Sequence, residues 1–331
     1  MKQLIADMRL PEYRYKQLLD AVFLQGIMRF EDMKLLPKTL REKLVEQFGE
    51  TVVEIKAIHH EKSMQTDKVL FELSDGNRVE TVGLFYKEGW NSFCISSQSG
   101  CGFGCKFCAT GTLGLRRNLT VDEITDQILY FMQQGCSINS ISFMGMGEPL
   151  DNTDELFKVL EILTASYGYA WSPKRITVST IGAKGLKRFL DESDCHLAVS
   201  LHSPYPAERL SLMPVEKAFP MHEVLDLIRQ YDFTHQRRVS FEYIVFKNLN
   251  DSVQHAKALA GLLKDIPCRV NLIRFHAIPN VPLQTTDLSK MEAFRDILND
   301  RGVTCTIRAS RGEDIFAACG MLSTAKKEKS I

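Results

Sequence analysis

Cys101, Cys105 and Cys108 stand in the run Cys-Gly-Phe-Gly-Cys-Lys-Phe-Cys, three thiols within eight residues of a glycine-bearing segment. Such a loop makes a poor core and a good metal site. A structural zinc takes four protein ligands, commonly as paired Cys-x-x-Cys units or Cys/His sets. Here the next cysteine is Cys136, and no histidine lies near the loop. Three thiolates suit an iron–sulfur cluster held by three of its irons, with the fourth left open for chemistry.

The elements that must position this loop follow from the hydrophobic pattern. Beyond residue 90, strand-like apolar runs at 92–96, 140–143, 176–179, 196–201, 239–245 and 270–275 alternate with helical stretches at 121–133, 155–164, 184–190, 221–231 and 252–263. A further helix at 290–298 leads to a last strand-like run at 303–307. This alternation predicts an α/β fold with a parallel sheet. Six successive units without a glycine-rich dinucleotide fingerprint favour a partial (β/α)6 barrel, in which chemistry sits at the C-terminal strand ends. The three cysteines follow the first of these strands.

The predicted organisation has four parts: a small helical N-terminal domain at 1–50, a β-hairpin extension at 51–90, the barrel at 91–310, and a C-terminal segment at 311–331. The hairpin is read from alternation at 68–73 and 78–86 about Ser74-Asp-Gly-Asn77.

Composition narrows the function classes. Hydrophobic residues make up 44% and charged residues 25% of 331, ordinary for a globular protein. Forty-one basic and forty-one acidic residues cancel, so no global field attracts nucleic acid. Local basic groups at Arg116/Arg117, Lys174/Arg175, Lys184/Lys187/Arg188 and Arg237/Arg238 count as a phosphate-binding patch only if they converge in space. The start of the chain breaks into charge without a secretory pattern, and no apolar run is long enough to span a membrane. Nine cysteines are therefore expected as reduced thiols in the cytoplasm, serving metal binding or catalysis.

Further polar groups fall at strand ends. Gly145-Met-Gly-Glu148 follows the second strand. Its glycines would let a ligand approach the backbone, and Glu148 would accept hydrogen bonds from an ammonium group. Ser179 and Ser200, with His202 just beyond, suggest a polar rim for a small cofactor.

These motifs together resemble the radical S-adenosylmethionine (SAM) superfamily, and within it the RlmN/Cfr family of RNA adenine methyltransferases. Phe93-Cys-Ile-Ser-Ser-Gln, Cys108-Ala-Thr-Gly, Arg117-Asn-Leu-Thr, Phe143-Met-Gly-Met-Gly-Glu-Pro-Leu, Val199-Ser-Leu-His-Ser-Pro, Asn250-Asp and Ala317-Ala-Cys-Gly carry the resemblance, which runs from about residue 11 to residue 320. It implies a [4Fe–4S] cluster on Cys101, Cys105 and Cys108, and SAM contacted by Gly147, Glu148, Ser179, Ser200, Leu201, His202 and His276. Cys319 would carry the methyl group, Cys94 would close a transient disulfide with it, and Glu80 would accept the ring proton. Ribosomal RNA is the implied substrate, transfer RNA a second one in some relatives, and a separate electron donor is required.

The implied chemistry has a clear reason. Adenine C2 and C8 are poor nucleophiles, so the carbon is first placed on the Cys319 sulfur, activated there as a radical, and then added to the base. The RNA is left tethered until the second thiol releases it.

The motifs divide between methylation sites. Glu148-Pro149-Leu150 matches members acting at C2. Trp90-Asn-Ser-Phe-Cys and Leu201-His-Ser-Pro lean towards the C8-methylating, antibiotic-resistance branch, and the balance tilts slightly that way. His276 stands where relatives usually carry asparagine. Two other classes stay open from the residues alone: a different radical SAM reaction with no role for Cys319, and a zinc-stabilised ribosome-binding factor.

Overall fold

The computed structural model describes residues 1–233 and 239–323, so Arg237/Arg238 and the lysine-rich run at 326–329 lie outside the described residues. The first 50 residues form α1 (Lys2–Asp7), α2 (Tyr13–Phe23) and α3 (Lys38–Phe48). Leu18, Val22, Leu40 and Leu44 recur at helical spacing and turn into the core.

Three strands follow: β1 (Lys56–Lys62), β2 (Thr66–Glu72) and β3 (Arg78–Phe85), each antiparallel to the next. The hairpin expected from sequence is therefore three strands wide. It also continues into the main sheet, because β3 pairs antiparallel with β4 (Asn91–Cys94). The cysteine loop comes next, bracketed by the short strands β5 (Gln98–Gly100) and β6 (Leu115–Asn118), with α4 (Ala109–Thr112) between them.

From β4 onward the main sheet is parallel. α5 (Val121–Gln133) leads to β7 (Ser140–Phe143), and α6 (Thr153–Thr164) leads to β8 (Ile176–Thr180). α7 (Leu186–Glu192) precedes β9 (His196–Ser200), and α8 (Pro206–Leu212) and α9 (Met221–Arg229) precede β10 (Val239–Val245). α10 (Val253–Leu263), β11 (Cys268–Arg274), α11 (Leu288–Asp300) and β12 (Thr304–Ile307) complete the series. The sheet order is β1-β2-β3-β4-β7-β8-β9-β10-β11-β12. Seven parallel strands with helical crossovers form the expected partial barrel, the last strand standing beyond the sixth unit.

Local signals account for the helices that frame the site. Thr120 and Glu123 form a reciprocal capping box at the start of α5, satisfying two helix-end N–H groups. Ser252 caps α10 through the His255 N–H. All seven residues of β10 are buried, as expected of a central parallel strand covered on both faces.

The barrel interior is polar. Glu242 on β10 accepts from Ser240 Oγ (3.2 Å), Asn271 Nδ2 (2.8 Å) and Arg308 Nη1 (3.3 Å). Thr306 Oγ1 donates to Asn271 at 3.0 Å, and Cys94 Sγ lies 3.2 Å from Ser142 Oγ. No helix among the described residues is long and apolar enough to cross a membrane.

Candidate active site

The cysteine loop is held by its own chain. Gln98 and Ser99 pair with Asn118 and Arg117, and the Cys101 N–H donates to Gly114 O at 3.1 Å. Gly100 has φ +75°, and a Cβ there would meet Gly114 O at 1.9 Å, so only glycine permits this closure. The Lys106 N–H donates to Leu212 O, tying the loop to α8.

All three loop thiols are free. Burial pushes the Cys101 thiol up to about 12, with Cys108, Glu148 and Asp151 adding to the rise and the Phe103 N–H opposing it. Burial and the neighbouring thiols raise Cys105 as well, and burial raises Cys108. Such thiols become ligands only when a metal supplies compensating charge. Sulfurs around one zinc at 2.3 Å bonds would lie about 3.8 Å apart. No three His, Cys, Asp or Glu side chains among the described residues converge on such a single-ion site. Three free thiols on one loop would instead suit an iron–sulfur cluster with an open position.

Glu148 is fully enclosed beside the loop. Its carboxylate accepts from the Leu150 N–H (3.2 Å) and the Ile181 N–H (3.0 Å), and burial raises it to about 7 against those bonds. The room beside the neighbouring glycines is filled by the protein itself. A Cβ on Gly145 would strike Ile95 at 2.7 Å, and one on Gly147 (φ +97°) would strike Gln98 Cβ at 2.5 Å. A side chain at either position would therefore collide with the neighbouring strand end, so both places require glycine.

Ser179 and Ser200 remain half-exposed at their strand ends, whereas Leu201 and His202 turn inward. Leu201 donates its N–H to Glu242 O. His202, at φ +59°, accepts the Ile244 N–H on Nδ1 at 3.0 Å and packs edge-on against Phe107. Burial, helped by Arg209, lowers this imidazole to about 3 and keeps it neutral. Asn250 Nδ2 fixes the same turn by donating to His202 O and Ile244 O.

Sequence reasoning passed over Arg209, which is wholly buried. Its guanidinium donates to Ile181 O (3.0 Å), Ser200 O (3.2 Å) and Leu201 O (3.2 Å) and pairs with Glu216. One side chain therefore joins the ends of β8 and β9. No local signal marks it, since an arginine in Pro-Ala-Glu-Arg-Leu reads as a surface residue.

The second half of the site is a cavity of about 220 Å³ between β3, β4, β11 and the C-terminal segment. Cys94, Met144, His276, Arg308 and Cys319 line it, with Tyr86 and Arg311 on the same wall. The Arg311 guanidinium lies 4.3 Å over the Tyr86 ring. His276 Nδ1 is 3.3 Å from Glu313 Oε1.

Both candidate carrier thiols are free. Burial and the adjacent Cys319 push Cys94 up to about 11, against Ser142 and Arg308. Cys319 is an exposed residue that also lines the cavity, and protein packed around its sulfur raises the thiol while Arg308 opposes. Burial alone would lower Arg308, but Glu242 and the two thiols outweigh it and keep it charged.

The C-terminal segment reaches the cysteine loop. The Ala109 N–H donates to Gly320 O, and Thr110 Oγ1 donates to Leu322 O, both at 2.7 Å. Glu80, a glutamate on the alternating strand β3, is only 1% exposed. It faces Lys68 (3.3 Å) and accepts the Ser323 N–H (2.9 Å). Its strand joins a wider sheet whose end the C-terminal segment covers, which local alternation does not reveal.

Among the described residues, four of the basic side chains are engaged by the protein itself. Arg117 pairs with Asp75 and Glu123, Arg175 bonds to the carbonyls of Ile138 and Asn139, and Lys187 and Arg188 pair with Asp191, Asp154 and Glu192.

A partial parallel barrel with a three-cysteine loop after its first strand defines a radical SAM enzyme, and residues 95–260 match the Radical SAM superfamily model. A probable dual-specificity RNA methyltransferase RlmN from Parabacteroides distasonis is 61% identical over 98% of this chain and 94% of that protein. The ribosomal RNA large subunit methyltransferase Cfr of Lachnoclostridium phytofermentans is 50% identical over 97% and 96%. The crystal structure of a radical SAM methyltransferase from Sphaerobacter thermophilus superposes with a TM-score of 0.91 at 36% identity, covering 98% of this chain and 96% of that one. The chain belongs to the RlmN/Cfr family of radical SAM methyltransferases, enzymes that use a [4Fe–4S] cluster and SAM.

Proposed function

We propose that this enzyme methylates C2 of an adenosine in 23S ribosomal RNA through a methyl-carrying cysteine. The observation that carries the reading is the shared cavity: Cys94 and Cys319 line one pocket, beside a stacked Tyr86–Arg311 pair, and the Cys319 segment is pinned to the cysteine loop. Pro149 after Glu148 and the names of the most similar relatives favour C2 over C8. The word dual-specificity in those names supports transfer RNA as a second substrate.

Cys101, Cys105 and Cys108 would hold the cluster. Gly147, Glu148, Ser179, Ser200, Leu201, His202 and His276 would surround SAM, the last three mainly through backbone or cavity-facing atoms. When bound, these groups supply the methyl carbon and the reducing electron for radical formation. The chain's own residues do the rest. Cys319 receives and carries the carbon, and the neighbouring Arg308 charge favours its thiolate. Tyr86 and Arg311 offer the aromatic and guanidinium surfaces on which an unstacked base can rest. Glu80 accepts the ring proton, and Cys94 attacks the Cys319 sulfur to release the RNA. The four-part organisation, with the helical N-terminal domain gripping RNA backbone through Tyr13/Arg14 and the helix start at 37–41, belongs to the same reading. So does a cytoplasmic enzyme served by a separate electron donor.

Mass spectrometry of nucleosides from RNA treated with the reconstituted enzyme tests this. 2-Methyladenosine is expected, and a Cys319→Ala variant should yield none. 8-Methyladenosine would move the enzyme to the other branch, and turnover by Cys319→Ala would overturn the carrier mechanism.

A further inference from the structure

One face of the sheet runs unbroken from the cysteine pair to the molecular surface. Cys94, Val82, Lys68 and Glu61 are successive cross-strand partners on β4, β3, β2 and β1. Glu80 and His59 flank that row through their common partner Leu70. Four titratable side chains therefore meet in series. Lys68 Nζ lies 3.3 Å from Glu80 Oε1 and 3.1 Å from Glu61 Oε2, and Glu61 Oε1 lies 3.1 Å from His59 Nε2. Side-chain exposure climbs in the same order, from 2% at Glu80 through 5% at Lys68 and 12% at Glu61 to 37% at His59.

Stability alone does not call for this arrangement. Buried ion clusters gain little over apolar residues of similar size, and these strands already bury Val69, Phe71 and Val79 on their other face. A chain ending on a half-exposed imidazole has a different use, because imidazole is the side chain best suited to exchange protons with water near neutrality.

We infer that Lys68, Glu61 and His59 form an outward proton relay behind Glu80, carrying to solvent the proton lost from the adenine ring carbon. The inference rests on the reading of Glu80 as the proton acceptor. The ring C–H bond breaks, leaves its electron pair in the base and protonates Glu80. Glu80 passes a proton to Lys68 as the Lys68 ammonium releases one to Glu61, so Glu80 returns to carboxylate and Lys68 stays charged. Glu61 then protonates His59 on Nε2, and the imidazolium releases its Nδ1 proton to water. No electrons move along the relay; Glu80, Lys68 and Glu61 are restored at once, and His59, left as its Nε2–H tautomer, returns to the starting tautomer by proton exchange with water.

Neighbouring charges do not divert the path. His60 and Lys62, at alternate positions of β1, pair with Asp67 at 3.4 and 3.5 Å, and the Ser323 N–H occupies the second oxygen of Glu80. Burial would raise Glu61, but Lys68 and His59 hold it below the usual carboxylate range, so it hands its proton on readily.

The test uses the full-length, cluster-loaded enzyme with an RNA fragment, following how fast the covalent Cys319–RNA adduct resolves in quenched samples. Glu61→Gln and His59→Ala should each slow resolution about tenfold, less than the ~10² or more expected on losing the base itself in Glu80→Gln. Added imidazole at fixed pH should accelerate His59→Ala but neither the parent enzyme nor Glu61→Gln. A merely structural cluster would not answer to imidazole, and His59→Ala leaves the buried Lys68–Glu80 pair in place. If Glu80→Gln stalls the adduct while His59→Ala and Glu61→Gln resolve it at the parent rate, the relay is wrong and the base stands. If Glu80→Gln also resolves it normally, the base reading itself fails. A His59→Ala variant that is slow but indifferent to imidazole also overturns the relay.

Discussion

Replacing Arg209 by methionine isolates what holds the rim between β8 and β9. The guanidinium satisfies three carbonyls, at Ile181, Ser200 and Leu201, and neutralises the buried Glu216. Removing one partner of a buried ion pair costs about 3–5 kcal/mol, and each orphaned carbonyl adds about 1 kcal/mol. Some relaxation will overlap these terms, so the expected loss is about 5 kcal/mol, a large share of a typical domain's net stability. The double variant Arg209→Met/Glu216→Leu removes the stranded charge and should recover about 3 kcal/mol, because an apolar pair is close to isoenergetic with a buried ionic one. In urea, with a slope of about 3 kcal/mol per molar, that recovery moves the unfolding midpoint by about 1 M. SAM binding, followed by equilibrium dialysis, should stay weakened in both variants, since the carbonyl ties remain broken. A single variant within about 1 kcal/mol of the parent, or a double variant no more stable than the single, would refute the assignment of Arg209 as the buried charge-balanced tie.

Three further outcomes follow from the same geometry. Cys94→Ala should trap RNA covalently on Cys319, visible as a denaturation-resistant band; normal release without adduct would remove its resolving role. Gly147→Ala sets a Cβ 2.5 Å from Gln98 Cβ at φ +97°, and should cost more than about 2 kcal/mol and lower iron content after reconstitution. Asp126 on α5 accepts the N–H groups of Glu54 and Ile55, and burial raises it from 3.8 to about 7. Between about pH 4 and pH 7 the folded state therefore holds a proton that the unfolded chain has lost, and Asp126 makes stability fall as pH rises through that window. Asp126→Asn should flatten this fall and raise the thermal midpoint at pH 8, and an unchanged pH profile would contradict the burial argument.

What the sequence conveyed, and what it hid, follows from the range of the interactions. The 121–133 helix and the 239–245 strand are found with the expected limits, because a capping box and an unbroken apolar run are local signals. The 56–62 strand escaped, since Lys-Ala-Ile-His-His-Glu-Lys has little alternation and lies at a polar sheet edge. Cys101, Cys105 and Cys108 announced themselves by spacing alone. Arg209 and the burial of Glu80 depend on contacts made across the fold, which no window of neighbouring residues contains. Cys319 became legible only through family resemblance, as a lone cysteine carries no local mark of chemistry.

The antiparallel strands bear on how a radical barrel comes to perform acid–base chemistry. A parallel barrel gathers its chemistry at the C-terminal ends of its strands, where the cysteine loop, Glu148 and the β8–β9 rim lie. The mechanism proposed above also needs a base and a second thiol near the carrier. β4 belongs to both arrangements, parallel to β7 and antiparallel to β3, and Cys94 is its last residue. Cross-strand register then sets Val82 opposite Cys94 and Glu80 two residues away on the same face. The C-terminal segment closes the arrangement by contacting both sides, Glu80 through Ser323 and the cysteine loop through Gly320 and Leu322. On the proposed mechanism, Cys319 then stands between the loop that would generate the radical and the strand whose Glu80 would take away the proton.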